Sequence, residues 1–223
     1  MPTDRRSIEA ALQAVADDFG GEAKPTILFE NGRKHVREIQ RIIAALPLNG
    51  TLLDVGGGLG VNVLAVRRLR PDTKLLLADG FVEYDSGNRM GSADRGLRLL
   101  EAAGVETIAI DFWPDLQLQI ESGTVHVATS FDVIEHLPGP ALQHLSEIRR
   151  TLRSDGVLIL ASPNAASLMK RVRQAFGAHP YIDFELWLKQ PYHQHYREYT
   201  ISEHTELLQR SGSWSNTFIA AMP

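Results

Sequence analysis

The sequence predicts an α/β protein built on a doubly wound, mostly parallel sheet flanked by helices. Three observations predict it. Short apolar runs alternate with helical patterns through the middle of the chain. Those runs are almost continuously apolar, as strands covered on both faces must be. One of them passes directly into a glycine cluster and then a helix, the junction at which such sheets bring backbone close to a ligand.

In chain order, Ile8, Leu12, Val15 and Phe19 recur at helical spacing, so 7–19 reads as an amphipathic helix ended by Gly20-Gly21. A second helix is expected over 32–46, with Val36, Ile39, Ile42, Ile43 and Leu46 on one face and Pro47 as its stop. Residues 1–46 thus read as a helical cap ahead of a domain spanning 47–223. Strands are expected at Thr51–Val55, Lys74–Ala78, Thr107–Ile110, Thr124–Ala128 and Val157–Ala161, with helices over 61–70, 93–103 and 140–152 between them. Pro140 suits a first helical turn. Residues 164–199 break the rhythm: a helix at Ala165–Phe176 and an aromatic-rich stretch from Tyr181 to Tyr199 are too long for a plain connection and read as a lid insertion. Thr200-Ile201-Ser202-Glu203 has capping-box spacing and opens a last helix through Leu207 and Leu208. Beyond Gly212 there is room for one more strand.

Composition excludes several function classes. The chain has 223 residues and 43% hydrophobic content, enough for one sizeable core. Twenty-three basic against 27 acidic side chains leave a net charge of -4, with no general pull toward nucleic acid or an anionic membrane. The absence of cysteine excludes a disulfide scaffold, a cysteine zinc site and a cysteine nucleophile, and fits a reducing cytosol. No apolar run approaches the ~20 residues of a membrane span, and the N-terminus lacks a signal-peptide core. The expectation is a cytoplasmic protein with no nucleic-acid partner.

The most informative stretch is Leu52-Leu53-Asp54-Val55-Gly56-Gly57-Gly58-Leu59-Gly60. A dinucleotide fingerprint counted from Gly56 requires Gly or Ala at position 61, where Val61 stands, which argues against an NAD-dependent dehydrogenase. The pattern is D-x-G-x-G-x-G. It resembles motif I of class I S-adenosylmethionine (SAM)-dependent methyltransferases, a Rossmann-like family, and the resemblance continues in order over roughly 45–212. It implies that Asp54, Gly56, Gly58 and Gly60 approach the methionine part of SAM. It further implies that Asp79, with Gly80 and Phe81 after it, meets the ribose, as two carboxylate oxygens suit two hydroxyls. Asp111 and Phe112 then fall near the adenine. Ser130-Phe131-Asp132-Val133-Ile134-Glu135-His136-Leu137 is similar to the signature after strand 4 in the subgroup that includes ubiquinone-pathway and sugar methyltransferases, with Ser130 among the cofactor contacts. Thr151–Gly156 and Ser162-Pro163-Asn164 fit the same subgroup, and the 164–199 segment resembles lids of polysaccharide-cluster methyltransferases. Two features depart from the family: His126 stands where an acid is common, and about one strand stands where the family has a C-terminal hairpin, which would be abbreviated or completed by a partner chain, as a homodimer covering that edge could do.

The cofactor would carry its own activated methyl group, so the protein must align the acceptor, exclude water and, for a hydroxyl, accept a proton. Histidine suits that task. The candidates are His136, at a strand end facing the ligand crevice, as base, and His193 and His195, in the lid, as substrate-orienting groups. An alternative uses His136 differently. Asp132, Glu135 and His136 stand at i, i+3 and i+4, so a helical turn would place all three on one face to hold a divalent cation such as Mg2+. The two roles of His136 exclude each other. Of the basic clusters, Lys170-Arg171-Arg173 alone adjoins the lid. A catalytically silent SAM-binding relative remains the reading from a different class.

Overall fold

The computed structural model describes residues 4–21, 23–81, 93–179, 195–212, 214 and 217–222, with backbone alone for 93 and 217–222. Helix α1 (Arg5–Phe19) starts at Asp4, whose carboxylate accepts the Ser7 N–H at 2.8 Å, and stops at Gly20, where φ is +62°. It buries Ile8, Leu12, Val15 and Phe19, as its spacing predicts. A single turn α2 (Ala23–Pro25) and a π-helical turn (Thr26–Glu30) follow, and sequence periodicity does not foresee either. Helix α3 (Gly32–Ala45) buries Val36, Ile39, Ile42 and Ile43.

The strands are β1 (Thr51–Val55), β2 (Lys74–Asp79), β3 (Glu106–Ala109), β4 (Val125–Phe131), β5 (Leu152–Pro163) and β6 (Thr217–Met222), in the order β3-β2-β1-β4-β5-β6. Every neighbouring pair is parallel. Helices α4 (Val61–Leu69), α5 (Ala93–Ala102), α6 (Leu142–Thr151), α7 (Leu168–Ala175) and α8 (Ile201–Ser211) complete the described structure. Alternate strand residues feed two cores. Leu52, Leu77, Val127 and Ile159 join α1, α3 and α4 on one face. Leu53, Leu76, Ala128 and Leu158 join α6 and α8 on the other. The N-terminal helices therefore share a core with the sheet.

Two differences from expectation have local causes. Strand β5 begins at Leu152 rather than Val157, because α6 runs straight into it and the exposed Arg153-Ser154-Asp155 lie in a stretch where the register with β4 shifts between Val125 and Val127. At the C-terminus β6 pairs directly and in parallel with β5, from Leu158 with Thr217 to Pro163 with Met222. The Arg67 guanidinium donates to the carbonyls of Pro71, Thr73, Ala103 and Gly104, and Arg150 to those of Leu118 and Ile120, so these clusters stitch loops. His126 accepts the Thr51 N–H at 3.1 Å. Among the described residues no helix is long and apolar enough to cross a membrane.

Candidate active site

Strand β1 delivers Asp54 and Val55 to a loop in which Gly56, Gly58 and Gly60 have φ of +78°, +60° and +80°, a region that side chains disfavour. Packing adds a second requirement. A Cβ on Gly56 would lie 2.2 Å from Val133 Cγ2, and one on Gly60 2.4 Å from Leu100 Cδ2. Gly57, which motif spacing leaves free, is held to glycine by Asp54, whose Oδ2 would sit 2.3 Å from its Cβ. Asp79, at the end of β2, fastens the loop by accepting the Gly58 N–H at 2.8 Å and the Phe81 N–H at 3.0 Å.

Above the loop is a cavity of about 320 Å³, walled by Gly56–Leu59 below and by Asn31, Lys34 and His35 of the helical cap above. Two buried carboxylates, Glu38 and Asp54, line it, and the buried Asp79 lies close enough for its charge to act on Asp54. Burial pushes Asp54 up to about 7, against a 2.6 Å hydrogen bond from Thr129 Oγ1 and with the charges of Glu38 and Asp79 adding to the rise. Burial likewise raises Asp79. Burial also works to raise Glu38, but the His35 hydrogen bond, the Lys34 charge and Asn62, whose amide donates at 2.8 Å, hold it below the usual range. Lys34 pairs with Asp132 and lies 4.0 Å from Glu38 Oε1. Sequence reasoning missed this strip; its signal is a run of polar residues at i, i+1 and i+4 (Lys34, His35, Glu38) beside the apolar face of α3.

A buried carboxyl that keeps its proton near neutrality favours the folded state most at low pH. Because the folded value of Asp54 stands above the unfolded one, its contribution is full below about pH 4 and is lost as pH rises through about 7. His144, pushed down to about 4 by burial, acts in the opposite sense on the acid side. The isosteric Asp54→Asn variant isolates the carboxyl: it should melt near wild type at pH 4 and several degrees above it at pH 8. Thermal melts of the ligand-free protein at the two pH values check this.

At the end of β4 the chain departs from what the motif suggests. Ser130 is wholly buried and its Oγ bonds His144 Nε2 at 3.2 Å, so it serves the lower core and not the cofactor crevice. Asp132 has φ +53°, and only a 3-10 turn (Ile134–His136) follows. With no α-helical turn, Asp132 does not share a face with Glu135 and His136; it swings to Lys34. The third member of the cluster is His195. One ligand atom each of Glu135, His136 and His195 lies within 4.8 Å of the others, and the two imidazoles meet edge to face at 4.8 Å between centroids. The chain reaches this point because Tyr199 bridges to Asn164 at the end of β5 and the Arg197 N–H donates to the Glu135 carbonyl at 3.3 Å.

His195 Nδ1 faces Glu198 Oε1 at 2.8 Å, and the buried Glu198 is also paired with Lys170. Burial works against the Glu198 charge, but the hydrogen bonds from His195 and Lys170 hold this carboxyl below its usual range, so it is ionised and accepts from Nδ1–H. Nε2 is left as the proton-accepting nitrogen of His195. Glu135 is the opposite case: wholly buried, with no hydrogen-bond partner at either carboxylate oxygen, it is pushed up to about 7 by burial. A second cavity of about 620 Å³ lies between Leu137–Pro140, Tyr196, Tyr199 and α8, lined by the chain neighbours of His136 and His195 and not by the two histidines themselves. Asp111 is exposed, Gly80 half-buried, and Phe112 half-buried 6.2 Å from the His144 ring; none of the three lines the glycine-loop cavity. His193 lies outside the described residues.

A parallel sheet with a left-handed glycine loop after β1, an acid after β2 and a cluster of titratable groups after β4 defines an α/β enzyme domain that binds a nucleoside cofactor across its carboxyl edge. Residues 29–213 match the model of a family described as a methyltransferase domain, and the chain belongs to that family. A search of curated proteins finds no match. Among solved structures, the chain is similar to phosphoethanolamine N-methyltransferase 2 of Haemonchus contortus in complex with phosphomonomethylethanolamine and S-adenosylhomocysteine, at 13% identity and a TM-score of 0.57 over 92% of this chain and 41% of that one. It therefore spans less than half the length of that protein. It also resembles the YcgJ protein of Bacillus subtilis (18% identity, TM-score 0.54, 81% of this chain and 68% of that one). A third likeness is to geranyl diphosphate C-methyltransferase of Streptomyces coelicolor in complex with Mg2+, geranyl diphosphate and S-adenosylhomocysteine (14%, 0.50, 84% and 65%). At these identities the likeness is one of fold.

The residues fit SAM. Its methionine end carries a carboxylate and an ammonium beside a cationic sulfur, and the glycine-loop cavity offers one lysine and a surplus of carboxylates, with an unpartnered Glu38 Oε1.

Proposed function

We propose that this enzyme methylates a hydroxyl oxygen of a small-molecule or glycan acceptor, a sugar hydroxyl, within the subgroup similar to ubiquinone-pathway and polysaccharide-cluster methyltransferases. The observation that carries this reading is the Glu198–His195 pair at the carboxyl edge of the sheet: an imidazole whose tautomer is set by a buried, ionised carboxylate is a base for a hydroxyl, which amines do not need.

When bound, the cofactor supplies an electrophilic methyl group on sulfur. Lys34 would hold its carboxylate, Asp54 and Glu38 would face its ammonium, and Asp79 would accept from its ribose hydroxyls. With the methyl group supplied by the cofactor, which would leave as S-adenosylhomocysteine, His195 Nε2 would take the proton of the acceptor hydroxyl and Glu198 would stabilise the resulting imidazolium. The cavity beside Leu137–Pro140 suits the acceptor: Tyr196 and Tyr199 offer ring faces, and Arg197 and Glu203 offer polar groups that a carbohydrate ring can use. Release of S-adenosylhomocysteine with a panel of monosaccharides and oligosaccharides tests the proposal. Sugar-dependent release supports it, and release only with amines sinks it.

One observation favours a second reading. The two unpartnered oxygens of the buried Glu135 lie with His136 and His195, a donor set that fits a divalent cation able to hold vicinal hydroxyls. In that case a chelator abolishes release and a divalent cation restores it; activity unchanged by chelator leaves His195 as base.

The Lys34 assignment has its own test. Lys34→Gln should weaken S-adenosylhomocysteine binding about tenfold, the order of one charge-assisted hydrogen bond. It should leave 5′-methylthioadenosine, which lacks the carboxylate, unaffected. Titration calorimetry with both ligands decides, and equal losses for both would remove Lys34 from the carboxylate.

A further inference from the structure

We propose that α7 docks this protein onto an anionic lipid surface. Helix α7 is capped by Ser167, whose side chain accepts the Lys170 N–H, and it buries none of its own residues. Its apolar side chains nevertheless share one face. At 100° per residue, Leu168, Val172, Phe176 and Met169 fall within an arc of roughly 100°. They are 78%, 43%, 86% and 68% exposed, respectively.

On the same wheel Arg171 and Arg173 flank that arc, one on each side, and both are exposed. Lys170 lies opposite, turned into the domain, where it pairs with the buried Glu198. The helix is therefore tied down by its polar side and presents the apolar arc outward between two guanidinium groups. No acidic residue occurs anywhere from Asn164 to His179, in a chain whose net charge is -4, so the positive charge is local to this element.

This distribution is what an interfacial helix needs: an apolar stripe to enter the acyl boundary and flanking cations at headgroup level. A protein partner could use the apolar stripe, but it would have no general need of cations on both flanks with no acid among them. The position also has a functional consequence that rests on the methyltransferase reading. Lys170 joins α7 to the carboxylate that orients His195, so a docked helix places the base close to hydroxyl acceptors carried on the lipid surface.

The test is cosedimentation of the full chain with phosphatidylcholine vesicles and with vesicles of phosphatidylcholine and phosphatidylglycerol. At low salt the bound fraction should be at least tenfold higher on the anionic vesicles and fall as salt is raised. Leu168→Ser with Phe176→Ser should abolish binding, and Arg171→Gln with Arg173→Gln should remove the dependence on lipid charge. All four positions are exposed, so S-adenosylhomocysteine binding should be unchanged in these variants. Wild type failing to bind either vesicle, or binding that both double variants retain, overturns the proposal. So does a concentration-dependent dimer in sedimentation velocity that Phe176→Ser dissolves, which would give the face to a second copy of the chain. Failure of wild type to bind S-adenosylhomocysteine would instead count against the methyltransferase reading and leave the vesicle result standing.

Discussion

Replacing His195 with Gln should lower kcat by about 10²–10⁴, the range for loss of a positioned general base, while S-adenosylhomocysteine binding stays within about twofold of wild type. The separation follows from placement: His195 stands in the cluster after β4, and the glycine-loop cavity is walled by other residues. Glu198→Gln should cost less, because the imidazole remains and loses only its tautomer control and the charge that stabilises its protonated form. Glu198 is also bonded to Lys170, so a thermal melt must accompany the kinetics to separate a lost orienter from a loosened α7. If the cluster works through a cation, His195→Gln lowers metal content together with kcat. If it works as a base, metal content is irrelevant and kcat falls alone.

The second large effect is on stability. Gly56→Ala puts a Cβ 2.2 Å from Val133 Cγ2 at a position with φ +78°. Left-handed backbone for a residue with a side chain costs about 1–3 kcal/mol, and overpacking costs about as much again. Together they should lower the melting midpoint by roughly 10 °C in a domain of this size. The double variant Gly56→Ala, Val133→Ala should recover the steric part and not the backbone part. Thermal melts of the single and double variants check this; a single variant as stable as wild type would mean that the loop does not hold the described conformation.

Sequence pattern exposed the scaffold where chemistry and periodicity coincide. Strand β1 is Thr51–Val55 in both readings because an apolar run ends abruptly in glycines, and the capping box at Thr200 and Glu203 is present as spelled, with the Glu203 N–H bonded to Thr200 Oγ1 and the Thr200 N–H to Glu203 Oε2. Pattern failed where a tertiary contact overrides local spacing. Asp132, Glu135 and His136 share a face only on an α-helix, and a left-handed Asp132 followed by a single 3-10 turn gives Asp132 to Lys34, a residue 98 positions away in sequence. His195 is visible as a histidine in the lid, but nothing in its neighbourhood shows that Glu198 is buried beneath it. The cap residues Lys34, His35 and Glu38 lie off the apolar face that spacing exposes, and only the cavity identifies them as part of its wall. Ser130 is the converse: a place in a motif suggests a ligand contact, and the side chain is spent on His144.

In the proposed reaction the methyl group of SAM passes to a hydroxyl oxygen whose proton goes to His195. The most direct measurement is to supply SAM labelled with carbon-13 in its methyl group, together with a small-molecule and glycan extract, and to read the chemical shift of the product methyl by NMR. A labelled methyl ether on a sugar, formed by wild type and lost in His195→Gln, is the predicted result. Label on nitrogen or carbon, or a methyl ether formed equally well without His195, would contradict it.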